Sequence, residues 1–286
     1  MKSSILIGLL LLALSVTGQT REEIIRKEYN FEKAAATNVF QLANITGPIE
    51  VVTHKANNII LEATKNITGE TSERVELGMQ EVGLSLLDRY DTLIVYAANP
   101  CHSFKKRDNK IGYAYAWGDC VLKYDYAFDM KLYVPAGTNL VLSTVNDGNI
   151  KVTGVSGNLA VRNVNGDIVL EGVQGKVEAH TINGDVEINY AANPKMDSRY
   201  YTLNGDITAN FKPGLAAKIS FKSFNGDMYT NLSSLNSLPG QLVMEKTEQN
   251  NGVKYKVNDR KYMQARDGKI LLDFETFNGD AYIKEK

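Results

Sequence analysis

From about residue 140 onward, apolar and polar positions alternate in short stretches that are broken repeatedly by one turn sequence. Written from the apolar residue before the turn, its copies are Val145-Asn-Asp-Gly-Asn-Ile, Val164-Asn-Gly-Asp-Ile, Ile182-Asn-Gly-Asp-Val, Leu203-Asn-Gly-Asp-Ile, Phe224-Asn-Gly-Asp-Met and Phe277-Asn-Gly-Asp-Ala. The leading apolar residues lie 19, 18, 21, 21 and 53 positions apart. Weaker half-copies, Val155-Ser-Gly-Asn-Leu and Val173-Gln-Gly-Lys-Val, fall between the early ones. A turn glycine therefore recurs roughly every nine residues, and one period of two short strands and two turns is what a stacked coil needs.

Within each copy the columns separate by period two, as in a half-buried strand. After the turn, Ile168, Val186, Ile207 and Met228 are followed two positions on by Leu170, Ile188, Ala209 and Thr230, with the mixed set Val169, Glu187, Thr208 and Tyr229 between. Before the turn stand Val161, Ala179, Tyr200, Phe221 and Phe274, then a mostly polar column, then Asn163, Thr181, Thr202, Ser223 and Thr276. Alternation cannot put both this last column and the apolar residue after it inside, so the corner re-aims one of them.

The turn itself is read from Asn165, Gly166, Asp167; Asn183, Gly184, Asp185; Asn204, Gly205, Asp206; Asn225, Gly226, Asp227; and Asn278, Gly279, Asp280. Asn-Gly tolerates positive φ at both positions, and the Asp carboxylate can accept a backbone N–H of its own turn. In an isolated hairpin such a turn would join antiparallel strands; its regular recurrence favours parallel stacking of coils over a hairpin meander. The expected fold is all-β, a parallel β-solenoid resembling a single-stranded β-helix, with a less regular N-terminal β region.

The organisation expected is a leader over 1–18, the N-terminal β region over 19–142 and the repeat solenoid over 143–286, with a loop or hairpin inserted at about 232–266 and Phe277 to Ile283 as the last rung. In the N-terminal region, Asn44-Ile-Thr-Gly-Pro-Ile-Glu-Val-Val looks like a degenerate rung. Asn58-Ile-Ile-Leu-Glu-Ala, Leu93-Ile-Val-Tyr and Met130-Lys-Leu-Tyr-Val read as strands, and Ser72 to Gln80 as a short helix. No Pro- or Ser-rich linker divides the halves, which predicts one continuous fold.

Val134-Pro-Ala-Gly, then Leu140-Val-Leu-Ser-Thr-Val-Asn, then tandem Asn-Gly-Asp-Ile strands resemble a widespread bacterial family of exported β-strand-repeat proteins, a domain of unknown function whose members are usually labelled as candidate adhesins. The resemblance runs from about Phe31 to Ile283. It implies an architecture and an adhesive or interaction role and brings no catalytic residues with it, since fold does not imply function. The Cys101 to Cys120 segment and the 232–266 excursion depart from the pattern.

Composition narrows the function classes. Lys2, the apolar run Ile5 to Leu14 and the small residues Val16 and Gly18 have the layout of a secretory signal peptide that leaves Gln19 as the new N-terminus. The apolar run is shorter than the roughly 20 residues of a spanning helix, so an exported protein of the periplasm, cell surface or medium is expected, with no membrane span after cleavage. Lys and Arg number 32 against 33 Asp and Glu, scattered along the chain, which argues against a nucleic-acid partner because phosphate binding needs a concentrated basic face.

The chain has two cysteines, Cys101 and Cys120, which in an exported protein read first as a disulfide, with free thiols or a metal site sharing His102 and Asp119 as the alternatives. Around them gather Tyr113, Tyr115 and Trp117 with several cations, either a surface for a glycan or protein partner or a strand pair whose tyrosines cover the solenoid. One Asp per coil, with Lys176 in an intervening half-turn, fits turn chemistry better than a calcium roll. His54, His102 and His180 are far apart, and no Gly-x-Ser-x-Gly elbow or phosphate loop is present. The expectation is a non-catalytic, cofactor-free and metal-free adhesin-like protein that meets an envelope or host-surface protein or glycan. A structural or stress-linked envelope protein is the alternative, and a carbohydrate-active β-helical enzyme the second.

Overall fold

The computed structural model describes residues 18–31, 36–89, 91–107, 110–115, 121–239, 244–249, 252–257 and 260–286, of which 102–107, 110–115, 244–249 and 252–257 are described by their backbone. Residues 1–17 of the leader expected over 1–18, together with Trp117 and Cys120, lie outside the described residues.

From Asp125 to Thr230 the chain alternates between two sheets, of ten and eleven strands among the described residues, and each full coil adds one strand to each sheet. Numbered by position in the stack, rung 1 is Thr92–Ala98 with Asp125–Pro135, and rung 2 is Val39–Ala43 with Ile49–His54. Rung 3 is Asn139–Ser143 with Ile150–Thr153, rung 4 Leu159–Arg162 with Ile168–Val173, and rung 5 Val177–His180 with Val186–Tyr190. Rung 6 is Ser198–Asn204 with Ile207–Phe211, rung 7 Leu271–Asn278 with Ala281–Glu285, and rung 8 Ala217–Lys222 with Met228–Thr230. Neighbouring rungs pair in parallel throughout, for example Ile150 with Ile168 and Val186 with Ile207.

Neither sheet is parallel throughout, which corrects the expectation of a uniform parallel solenoid. Ile59–Gly69 pairs antiparallel with Asp125–Pro135, and Gln19–Tyr29 pairs antiparallel with Ile59–Gly69. Gly83–Arg89 runs antiparallel to Thr92–Ala98. At the far end Lys261–Ala265 lies antiparallel against Ala217–Lys222, and Leu235–Leu238 against Lys261–Ala265. The segment after rung 8 thus supplies two strands to the second sheet as well as the separate hairpin Met244–Gln249 with Gly252–Val257.

The order of rungs 7 and 8 is a second correction. The C-terminal coil carrying Phe277 is not the last rung: it is intercalated between rung 6 and the Phe224 coil, which precedes it in sequence. The turn ladder explains why this is possible, because every Asn-Gly-Asp corner offers its neighbours the same bonds.

Inside, the columns read from sequence close into one core. Leu142, Val161, Tyr200, Phe274, Ile168, Leu170, Val186, Ile188, Ile207 and Ala209 are all fully buried. The core becomes aromatic toward rung 7: Tyr190 stacks on Phe211 at 5.0 Å, Tyr200 lies 4.6 Å from Phe274, and the Tyr190 and Tyr200 hydroxyls share a 2.7 Å hydrogen bond. That bond satisfies two buried hydroxyls at once. Burial, with the Tyr190 hydroxyl alongside, pushes the Tyr200 pKa well up. Asn44 to Val52 supplies the corner and most of the second strand of rung 2, and helix α1 (Ser72–Glu81) starts at Thr71, whose side chain accepts the Arg74 N–H.

Candidate interaction surface

The corner of the stack resolves the ambiguity left by alternation: the Thr column turns in and the apolar residue after it turns out. Thr144, Thr181, Thr202 and Thr276 are buried, and each hydroxyl donates to a glycine carbonyl of the adjacent rung, as in Thr202 Oγ1 to Gly184 O at 2.8 Å. Asn163 does the same through Nδ2 to Gly148 O at 2.8 Å, and its Oδ1 accepts the Val164 N–H. The hydroxyl or amide saturates a carbonyl that the turn would otherwise leave without a donor.

The predicted turn residues assemble into ladders between rungs. Asn183 Nδ2 donates to Asn165 Oδ1, Asn204 to Asn183, Asn278 to Asn204 and Asn225 to Asn278, at 2.8–2.9 Å. Each Asp carboxylate accepts the N–H of the next rung's Asp: Asp185 N to Asp167, Asp206 N to Asp185, Asp280 N to Asp206 and Asp227 N to Asp280, at 2.8–2.9 Å. The carboxylate therefore joins rungs rather than serving its own turn, which corrects the sequence expectation. Positive φ is likewise confined to the glycine of each Asn-Gly pair, from +142° at Gly279 to +159° at Gly226. At Gly205 a Cβ would lie 2.1 Å from the Gly184 carbonyl oxygen, so both backbone conformation and the approach of adjacent rungs require glycine there.

The outward apolar column forms a ridge along this corner. Val145, Val164, Ile182 and Leu203 are half-buried, and the ridge ends in Phe277 and Phe224, 44% and 73% exposed. The two rings stack in parallel with centroids 4.8 Å apart, and beside them Tyr282 and Tyr229 stack at 5.1 Å on the outer face of the first sheet. Phe224 and Tyr229 belong to rung 8, so one face of each stack has no further rung over it.

On the outer face of the second sheet the mostly polar column becomes a row. Arg162, His180 and Tyr201 occupy matching positions on three neighbouring strands, with Glu178 beside Arg199 one alternate position earlier. Further along, Arg199 reaches Glu275 at 3.0 Å and Asp273 at 3.5 Å, and Arg260 also pairs with both carboxylates. Burial would raise the pKa of Glu275, but Arg260, with Arg199 and Lys222, outweighs it and holds the carboxyl below its ordinary value.

Cys101 is buried and disulfide-bonded. Tyr113 and Tyr115 lie on the strand Lys110–Tyr115, which pairs antiparallel with His102–Arg107. The ridge was hidden in the sequence as an ordinary alternation residue; its signal was the growth in size from Val145 to Phe224 at one repeat position. Among the described residues no three His, Cys, Asp or Glu side chains converge as metal ligands, and no helix is long and apolar enough to cross a membrane.

These features define an all-β protein of stacked coils whose corners are locked by side-chain ladders. Residues 134–270, a little under half of the chain, match the Toastrack family, DUF4097, and to that extent the chain is similar to a Toastrack domain. No curated protein matches the chain. Among solved structures it is similar to a candidate cell adhesion protein from Clostridium sporogenes, with 12% identity, TM-score 0.43, and coverage of 94% of this chain and 100% of that one. A candidate adhesin from Bacteroides fragilis shows 11% identity and TM-score 0.40 over 92% and 97% of the two chains. A candidate lipid-binding protein from Parabacteroides distasonis shows 13% and 0.27 over 95% and 98%. Likenesses this distant carry no inference about activity.

Proposed function

We propose that the chain is a non-catalytic, exported, adhesin-like interaction protein whose coils form a short β-solenoid within antiparallel margins. The observation that carries this reading is the outward apolar ridge. The ridge side chains make none of the ladder bonds, which come from the backbone and from Asn, Asp and Thr side chains. A stack serving structure alone would be as well built with Ser or Lys at this position, and more soluble, since contiguous exposed apolar surface favours association. Instead the position is apolar from Val145 to Phe224 and aromatic where it is most exposed, the composition of the centre of a recognition surface.

The test compares the chain from Gln19 with a Phe224→Ser, Phe277→Ser double variant, under oxidising conditions, against arrayed glycans and purified envelope and host-surface proteins. The native chain should show saturable binding that the double variant weakens at least about tenfold, as loss of an aromatic anchor does. Silence from the folded native chain would leave a structural envelope protein as the reading.

A further inference from the structure

The outer face of the second sheet holds a cavity of about 310 Å³ lined by Arg162, Glu178, Ala179, His180, Arg199 and Tyr201. That volume is at the small end of the range for small-molecule sites. Stacking alone assembles it: the lining residues come from rungs 4, 5 and 6, at outward positions brought level by the registers Arg162 with His180, His180 with Tyr201 and Glu178 with Arg199.

The charges in its wall are not equivalent. Arg199 is held by Asp273 and Glu275, and Glu178 pairs with Lys176 at 2.7 Å. Among the described residues, the Arg162 guanidinium and the Tyr201 hydroxyl have no partner, while the His180 and Tyr201 rings meet edge to face with centroids 4.3 Å apart. A guanidinium without a carboxylate partner, half-buried beside an aromatic wall, selects a planar anion that it can grip with two parallel N–H bonds. The Glu178 carboxylate on the same wall disfavours a multiply charged group such as phosphate and accepts hydrogen bonds from hydroxyl donors. A ligand meeting all these conditions carries one carboxylate, several hydroxyls and a C–H face to lie against a ring.

We propose that this cavity binds one carboxylated sugar, the hexuronate unit of an acidic glycan, with Arg162 gripping the carboxylate, Tyr201 and His180 forming the wall for the sugar face, and Glu178 accepting from its hydroxyls. The site lies on the second sheet's outer face and uses none of the ridge residues, so it stands independently of the ridge as a binding surface.

Calorimetric titration of the full chain with galacturonate and glucuronate oligomers tests this, alongside the matching neutral hexose oligomers and acetate. The acidic oligomers should bind at least about tenfold tighter than the neutral ones, and Arg162→Gln should remove about that factor, the usual worth of a charge-assisted hydrogen bond. Tyr201→Ala should weaken acidic oligomers while Phe224→Ser, Phe277→Ser leaves them unchanged. Arg162→Lys, which keeps the charge and loses the fork, should fall between native and Arg162→Gln. Equal affinity for acidic and neutral oligomers, no binding of either, acetate as tight as the uronates, or an Arg162→Gln variant that binds like the native chain would each overturn the proposal. Loss of binding in the ridge variant alone would assign the glycan to the ridge instead.

Discussion

The two ends of the stack solve the same problem differently. Beyond rung 1 both sheets continue into antiparallel strands, and helix α1 packs against the first of them. Lys65, 3% exposed, ties that end together: its ammonium donates to the Met79 and Val82 carbonyls at the helix C-terminus and pairs with Glu23 at 2.6 Å. The outermost strand there, Gln19–Tyr29, is exposed and dense in charge, a known way to discourage edge pairing. Beyond rung 8 only the second sheet is extended. The first sheet stops at the three-residue strand Met228–Thr230, where Met228 and Thr230, inward positions in every earlier rung, are half-buried and exposed. One end is closed by charge and covering strands, and the other is left short, aromatic and open. Repetition explains the middle of the stack, and the contrast between the ends locates where the molecule can meet something else.

The comparison breaks first if the inner rungs do not carry the stability. Phe274→Ala, which empties a fully buried position in rung 7, should cost about 3–5 kcal/mol in urea-induced unfolding. Gly205→Ala should cost about 3 kcal/mol or more by the same measurement, since it adds strain at positive φ to a clash with the neighbouring rung. At the closed end, Lys65→Met should cost about 1–3 kcal/mol by leaving helix carbonyls without a donor, and hydrogen exchange should show the loss concentrated in Ser72–Glu81. Rung 7 should also be the acid-sensitive element. Glu285, like Glu275, has its pKa lowered: burial opposes this, but the Leu215 and Gly214 N–H groups and Arg266 outweigh it. Carboxyls depressed in the folded state contribute stability above their ordinary value of 4.5 and lose it as pH falls through the folded values. Thermal unfolding followed from pH 6 downward should therefore show the native chain losing stability below about pH 4.5 more steeply than Glu275→Gln, Glu285→Gln. The smallest effect belongs to the open end, where Phe224→Ser should change stability by about 0.5 kcal/mol or less.

Much of this architecture was legible in the sequence, and the omissions share one cause. The inward columns, the degenerate rung at Asn44 to Val52 and the helix near Ser72 follow from local pattern, because period, turn glycine and burial are set within a few residues. What alternation does not encode is the direction of a side chain at a corner, so Val164 and Phe224 could not be placed outside in advance of Thr181 and Thr202 going in. Nor does a repeat state its own order. Phe224-Asn-Gly-Asp and Phe277-Asn-Gly-Asp present the same ladder groups, and either could stack on Leu203-Asn-Gly-Asp. Arg162, His180 and Tyr201 were passed over for a related reason: each is unremarkable alone, and only the 18- and 21-residue registers bring them level.

The exposure of Phe224, and with it the open end and the ridge terminus, depends on the C-terminal coil lying between rungs 6 and 8. Engineered cysteine pairs along the ridge test that order directly. Adjacent parallel strands lie about 4.8 Å apart, within reach of a disulfide, and strands two places apart lie about 9.6 Å apart, beyond it. The pairs Leu203→Cys with Phe277→Cys, and Phe277→Cys with Phe224→Cys, should oxidise to a cross-link in the folded protein, while Leu203→Cys with Phe224→Cys should not. A ready cross-link between positions 203 and 224 would show that the Phe224 coil sits directly on rung 6 and would contradict the account.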